Sequence, residues 1–108
     1  MPVLDPSIAG QLAEDLPRED FLRIIRTFHE DLGRLTQDLA TAAQRNDIRG
    51  FQHAAHSLAG AAAAVGAQRL EASARLGMAG AQPPSVALAG QIATEARAAL
   101  AALAALTA

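Results

Sequence analysis

Between residues 21 and 42 the apolar side chains Phe21, Ile25, Phe28, Leu32, Leu35, Leu39 and Ala42 recur in alternating steps of four and three. That spacing keeps them on one stripe of an α-helix, and it is the stripe a helix needs when it packs lengthwise against others in a bundle. Arg23, Arg26, Glu30, Arg34 and Asp38 lie largely off the stripe and read as a solvated face. Composition supports the same architecture. The chain is 51% hydrophobic, most of it alanine, and only 3% aromatic. Alanine has the best helix propensity and takes little room, so such a core favours helices in close approach. β-branched residues are too few for a sheet.

The boundaries follow from capping chemistry. Asp5-Pro6 pairs an N-cap acid with proline at the first helical position, which starts a short helix running to about Asp15. Leu16-Pro17 interrupts it, and Pro17 opens a second helix with Glu19 and Asp20 in its first turn. That helix fades near Gln44-Arg45-Asn46, and Asp47 caps a third, which Gly66 ends in a left-handed conformation. A fourth is predicted from Ala67 to about Ala81, with Leu70, Ala74 and Leu76 or Met78 inward and with Gly77 and Gly80 weakening its end. Gln82-Pro83-Pro84-Ser85 breaks the chain. A last helix follows with Leu88, Ile92, Ala96, Ala99, Leu103 and Leu106 at bundle spacing. Short connections make consecutive helices antiparallel neighbours. The expected fold is all-α: an up-down antiparallel four-helix bundle with a short additional N-terminal helix, as one domain over residues 1–108.

Several function classes lose support at this stage. A net charge of -2 gives no basic stripe for nucleic acid. The chain has no cysteine, hence no disulfide or thiolate metal site. All nine positive charges are arginine, so no glycine-rich phosphate loop ends in lysine and no kinase or ATP site is expected. No long uncharged apolar run and no signal peptide is read, so a cytoplasmic protein without a membrane segment is the expectation.

The third helix carries the chemistry. It reads Phe51-Gln52-His53-Ala54-Ala55-His56-Ser57-Leu58-Ala59-Gly60, then Ala61 to Ala64, Val65, Gly66 and Ala67. With His56 at zero on a helical wheel, Gln52, Gly60 and Ala63 fall within about 40° of it, His53 and Ala59 within about 60°, and Arg49 within about 20° two turns earlier. Phe51, Ala54, Leu58, Ala61, Ala62 and Val65 gather on the opposite, packing side. Imidazole titrates near neutrality, and its free base can take a phosphoryl group on a ring nitrogen. Such a group needs space and an open approach, which Gly60 and Ala63 supply. A mid-helix glycine costs stability, so Gly60 points either to close helix packing or to a visiting partner or phosphate. His53 and His56 are spaced for a shared metal, but no carboxylate joins them on that face, so none is expected. His29 lies beside the stripe of the second helix and reads as structural or solvated.

This pattern resembles the signature of the histidine-containing phosphotransfer (HPt) domain family of two-component phosphorelays. It has a histidine (His56), an apolar residue two later (Leu58), a glycine four later (Gly60) and small residues after that. A Gly-Ala pair follows ten later (Gly66-Ala67), and a leucine fourteen later (Leu70). Helix order and length agree along the whole chain. The resemblance implies that His56 is the phosphoacceptor, exchanging a phosphoryl group with aspartates of response-regulator receiver domains or taking it from a hybrid histidine kinase. Gln52, His53, Ala59, Gly60, Ala63 and Arg49 would then lie near the phosphate or the partner. It also implies a docking surface on the second and third helices, to which Leu22 and Phe28 contribute. The chain would be a monomeric phosphocarrier rather than a true enzyme, without a cofactor of its own, the Mg²⁺ sitting on the partner receiver. Two positions depart from the family. Its usual lysine three residues after the histidine is Ala59 here, and the glutamine or glutamate often found on the fourth helix is replaced by Gly77-Met78. Two alternatives stay open: a phosphotransfer-deficient module that only docks a receiver or kinase, and a structural bundle, dimeric through its alanine-rich last helix.

Overall fold

The computed structural model describes residues 1–78 and 83–107. They form five helices, and no strand occurs among the described residues: α1 (Pro6–Asp15), α2 (Arg18–Arg45), α3 (Ile48–Val65), α4 (Gln68–Met78) and α5 (Val86–Ala105). α2 contacts α3, α3 contacts α4, α4 contacts α5, and α5 closes the ring on α2, while α1 rests on α2 and α3. This is the predicted up-down bundle with its short leading helix.

The caps are those the sequence calls for. The Asp5 carboxylate accepts from the Ser7 N–H at 2.9 Å, Asp47 from Gly50 at 3.0 Å and Ser85 from Leu88 at 3.1 Å. Each satisfies a backbone donor that a helix start leaves without an intrahelical partner. Pro17 is the N-cap of α2 rather than its first residue. Asn46 (φ 55°) and Gly66 (φ 74°) end α2 and α3 in the left-handed region. The Ala67 N–H then donates back to the Ala62 carbonyl at 2.9 Å, and the Asp47 N–H donates to that of Ala42 at 2.9 Å. Gly66 also anchors the N-terminal segment. Its carbonyl accepts from the Asp5 N–H at 2.7 Å, and a Cβ there would stand 2.9 Å from the Ile8 Cβ. Gln68 Nε2 adds a bond to the Pro2 carbonyl at 2.9 Å, so α1 is tied to the α3–α4 turn.

α4 ends at Met78 within the described residues, short of the expected Ala81; the reading of Gly80 and of Gln82 falls outside them. The stripe of α2 is buried except at Ile25, which is half-buried. On α4 the inward residues are Leu70, Ser73, Ala74 and Gly77, whereas Leu76 is exposed and Met78 half-buried. On α5, Ala89, Ile92, Ala96, Ala99 and Leu103 are buried, with Leu88 half-buried and Leu106 exposed at the helix end. By length and composition α5 could cross a membrane. Its mid-helix Glu95, however, is paired with Arg69 of α4 at 2.8 Å, and its buried stripe belongs to the bundle core.

The tightest approach is between α3 and α4. A Cβ on Gly77 would lie 2.9 Å from the Ala55 Cβ and 3.1 Å from Phe51 Cε1, closer than side chains pack. Gly33 of α2, by contrast, has nothing within 4 Å of such a position. Gly77→Ala should therefore destabilise the fold. Overpacking costs about 1–3 kcal/mol, against a gain in helix propensity of under about 1 kcal/mol. Gly33→Ala should gain most of that propensity term. Urea denaturation of the two variants beside the parent chain measures both, and equal effects would contradict the packing described.

Candidate functional site

α3 buries Phe51, Ala54, Ala55, Leu58, Ala59, Ala62 and Val65. Both flanks are taken: Ala55 and Phe51 meet α4 at Gly77, while Ala61, Ala64 and Val65 meet α2 across a groove. What remains outward is a strip containing Arg49, His53, His56, Gly60 and Ala63, all exposed, with Gln52 half-buried at its edge. The wheel drawn from the sequence is recovered here, because a helix packed on both flanks has only one face left for solvent.

His56 sits at the middle of α3 with its imidazole in solvent, and it makes no side-chain hydrogen bond among the described residues. A Cβ built on Gly60 has nothing within 4 Å. Of the two reasons for a glycine mid-helix, close packing thus belongs to Gly77, and Gly60 stands beside open space. Its effect is to leave the approach to His56 bare one turn downstream.

Three residues expected near the phosphate or the docked partner lie off the outward strip. Ala59 is only 6% exposed and joins the core; it lies one turn from His56, on the α4 flank of the strip. Leu22 is exposed but lines a hollow with Ile25, His29, Leu100 and Ala104, on the α5 side of α2 and away from α3. Phe28 is buried and forms part of the wall of the α2–α3 groove. The two arginines of α4 are held away from the strip. Arg69 pairs with Glu95 at 2.8 Å and Arg75 with Glu71 at 2.7 Å.

The groove itself was not foreseen. It encloses about 550 Å³ between α2 and α3, with Ile24, Phe28, Ala61, Ala64 and Val65 as apolar walls and Asp20, Arg23 and Asp31 at its rim. The signal for it was the run of small residues Ala61 to Ala64. On α3 they leave a trough that the larger side chains of α2 do not fill. The groove opens along the α2 flank of the strip, one to two turns beyond His56.

The model of the Hpt domain family matches residues 23–106, which takes in most of α2 and all of α3, α4 and α5. The chain belongs to the Hpt domain family. Hpt domains are histidine phosphotransfer modules of two-component signalling, and they interact with response-regulator receiver domains and with kinases in phosphorelays. No curated protein and no solved structure matches the chain. No cluster of three or more metal-ligating side chains occurs among the described residues. As an Hpt domain the chain offers an exposed imidazole on a rigid helix, open ground at Gly60 and an apolar groove beside it.

The open surroundings of Gly60 have a measurable consequence. Gly60→Ala should raise stability by about 0.5–1 kcal/mol, since the helix gains propensity and nothing is crowded. Thermal or urea unfolding checks this. A loss of stability would mean that Gly60 serves packing after all.

Proposed function

We propose that the chain is a phosphocarrier of a multistep phosphorelay: a monomeric, cytoplasmic Hpt protein that accepts a phosphoryl group on His56 from the aspartate of one receiver domain and yields it to another. The observation that carries this reading is the exposed mid-helix imidazole of His56 beside the vacant space at Gly60. The lone-pair nitrogen of the ring attacks phosphorus, the P–N bond forms as the acyl P–O bond breaks, and the electron pair leaves with the aspartate carboxylate. The second ring nitrogen keeps its proton, so the product is a phosphorylated imidazolium. Such a transfer depends on positioning and charge stabilisation more than on a catalytic base. The bundle's part is to hold the ring rigid and outward. The receiver would bring Mg²⁺, and no cofactor of this chain is required.

The α2–α3 groove is the natural docking ground, since its apolar walls Ile24, Phe28, Ala61 and Ala64 adjoin the histidine strip. A transient contact at the low end of specific interfaces, about 1,200 Å² in total, would cover both. His53, one turn before His56 and exposed, sits in a separate hollow with Asp38, Thr41 and Arg45 and is assigned no transfer role.

A docking-only module is the second reading, and one observation favours it. Position 59 offers no cation to a phosphorylated His56, because it holds a buried alanine. The two readings separate in one assay. Incubated with receivers loaded from acetyl phosphate, the parent chain and His53→Gln should become labelled with an acid-labile, base-stable phosphate, and His56→Gln should not. Equal labelling of the His56→Gln variant would end the assignment. Receiver binding without any label would leave docking alone.

A further inference from the structure

A phosphoryl group on His56 would place a dianion on the outward strip of α3 at neutral pH, offset only in part by the positive charge of its own imidazolium ring. The strip's own arginine, Arg49, lies seven residues earlier, about 10 Å along the helix axis. Arg69 and Arg75 are held by Glu95 and Glu71. All nine cations of the chain lie among the described residues, so the remaining source near His56 is the neighbouring flank of α2.

The register between α2 and α3 identifies which residue that is. Asp31 shares the groove with Ala61 and Ala64, and Asp38 shares the next hollow with His53 and Ala54. The two helices are antiparallel, so these two fixed points bring Arg34 level with Leu58, within about 3 Å of His56 along the axis. Arg34 is also on the right side of its helix. Phe28, Leu32, Leu35 and Leu39 set the inward direction of α2, and Leu22, Ile25 and His29 face α5. Arg34 lies about 60° from Asp31 on the α3 flank, turned further toward solvent. Its one ion pair is loose, at 3.6 Å to Asp31 with side-chain exposures of 63% and 43%. An exposed pair of that kind holds its partners weakly, and an arginine fork binds a phosphate dianion better than a single distant carboxylate oxygen.

We propose that Arg34 is the phosphate-binding cation of this domain, leaving Asp31 to neutralise the phosphoryl group once His56 carries it. The inference rests on His56 as phosphoacceptor. It explains how an Hpt domain with alanine at position 59 can hold a phosphohistidine: the positive charge comes from across the helix pair instead of from one turn further along α3. Without Arg34, the α2 residues nearest in register would be Asp31 and Asp38, with Arg23 and Arg45 lying further along the helix in either direction.

The experiment uses the full chain with His29→Gln and His53→Gln, phosphorylated at His56 by phosphoramidate so that no partner is needed. The ³¹P resonance is titrated with pH, and the transfer equilibrium with a receiver is measured at low and at high salt. Arg34→Gln should raise the phosphoryl titration midpoint and shift the equilibrium about two- to fivefold toward the receiver at low salt, an effect that fades as salt rises. Arg34→Lys should restore most of both. Arg26→Gln, on the α5 side of α2, should change neither. Arg34→Gln behaving like the parent chain, or Arg49→Gln carrying the effect instead, would overturn the proposal. A chain that no receiver can label, yet whose chemically made phosphohistidine responds to Arg34, would refute the carrier function while leaving the cation assignment standing.

Discussion

The arrangement depends on how closely α4 lies against α3. Gly77 brings its backbone against Ala55 and Phe51, at a separation where a single added methyl would collide. Small side chains on both helices make this possible, and the scarcity of aromatic residues in the core makes it necessary, because few large groups remain to fill a wider gap. With α4 seated on one flank and α2 on the other, α3 has a single outward direction. His56 lies in it. The ring's exposure is thus a consequence of packing elsewhere, and no contact to the ring itself is needed to hold it out.

The same close packing accounts for the unusual electrostatics of the strip. Position 59 falls on the α4 flank, where the helices are nearest, and alanine fits there without disturbing the contact. The positive charge available to the site moves to α2, whose flank carries Asp20 with Arg23 and Asp31 with Arg34 as exposed pairs. Exposed pairs of this kind add little to stability. They keep the rim of the apolar groove nearly neutral, and they leave arginine side chains that a stronger anion can recruit.

Much of this was legible in the residues. The four-three stripe of α2, the Asp5, Asp47 and Ser85 caps and the Gly66 turn are local signals, and local geometry obeys them. Of the α2 stripe only Ile25 failed to be fully buried, since it sits where the stripe drifts toward α5. The histidine strip was legible for the same reason: periodicity alone sorts a helix into faces. The edges between faces were the least legible. Ala59 and Leu22 each lie at a boundary, and the wheel of one helix does not say which neighbour covers which edge. Leu76 and Met78 posed the same difficulty at the end of α4.

The sequence by itself determined the helices, their ends, the burial stripe and the one face of α3 on which His56 stands, because these follow from bonds and spacings within a few residues. Only the tertiary structure decided that Gly60 borders open space while Gly77 is filled by a neighbour. Only it showed that a groove runs between α2 and α3, and it set the register that brings Arg34 opposite Leu58. These depend on the distance and register between helices, which are set by the shapes of side chains far apart in the chain.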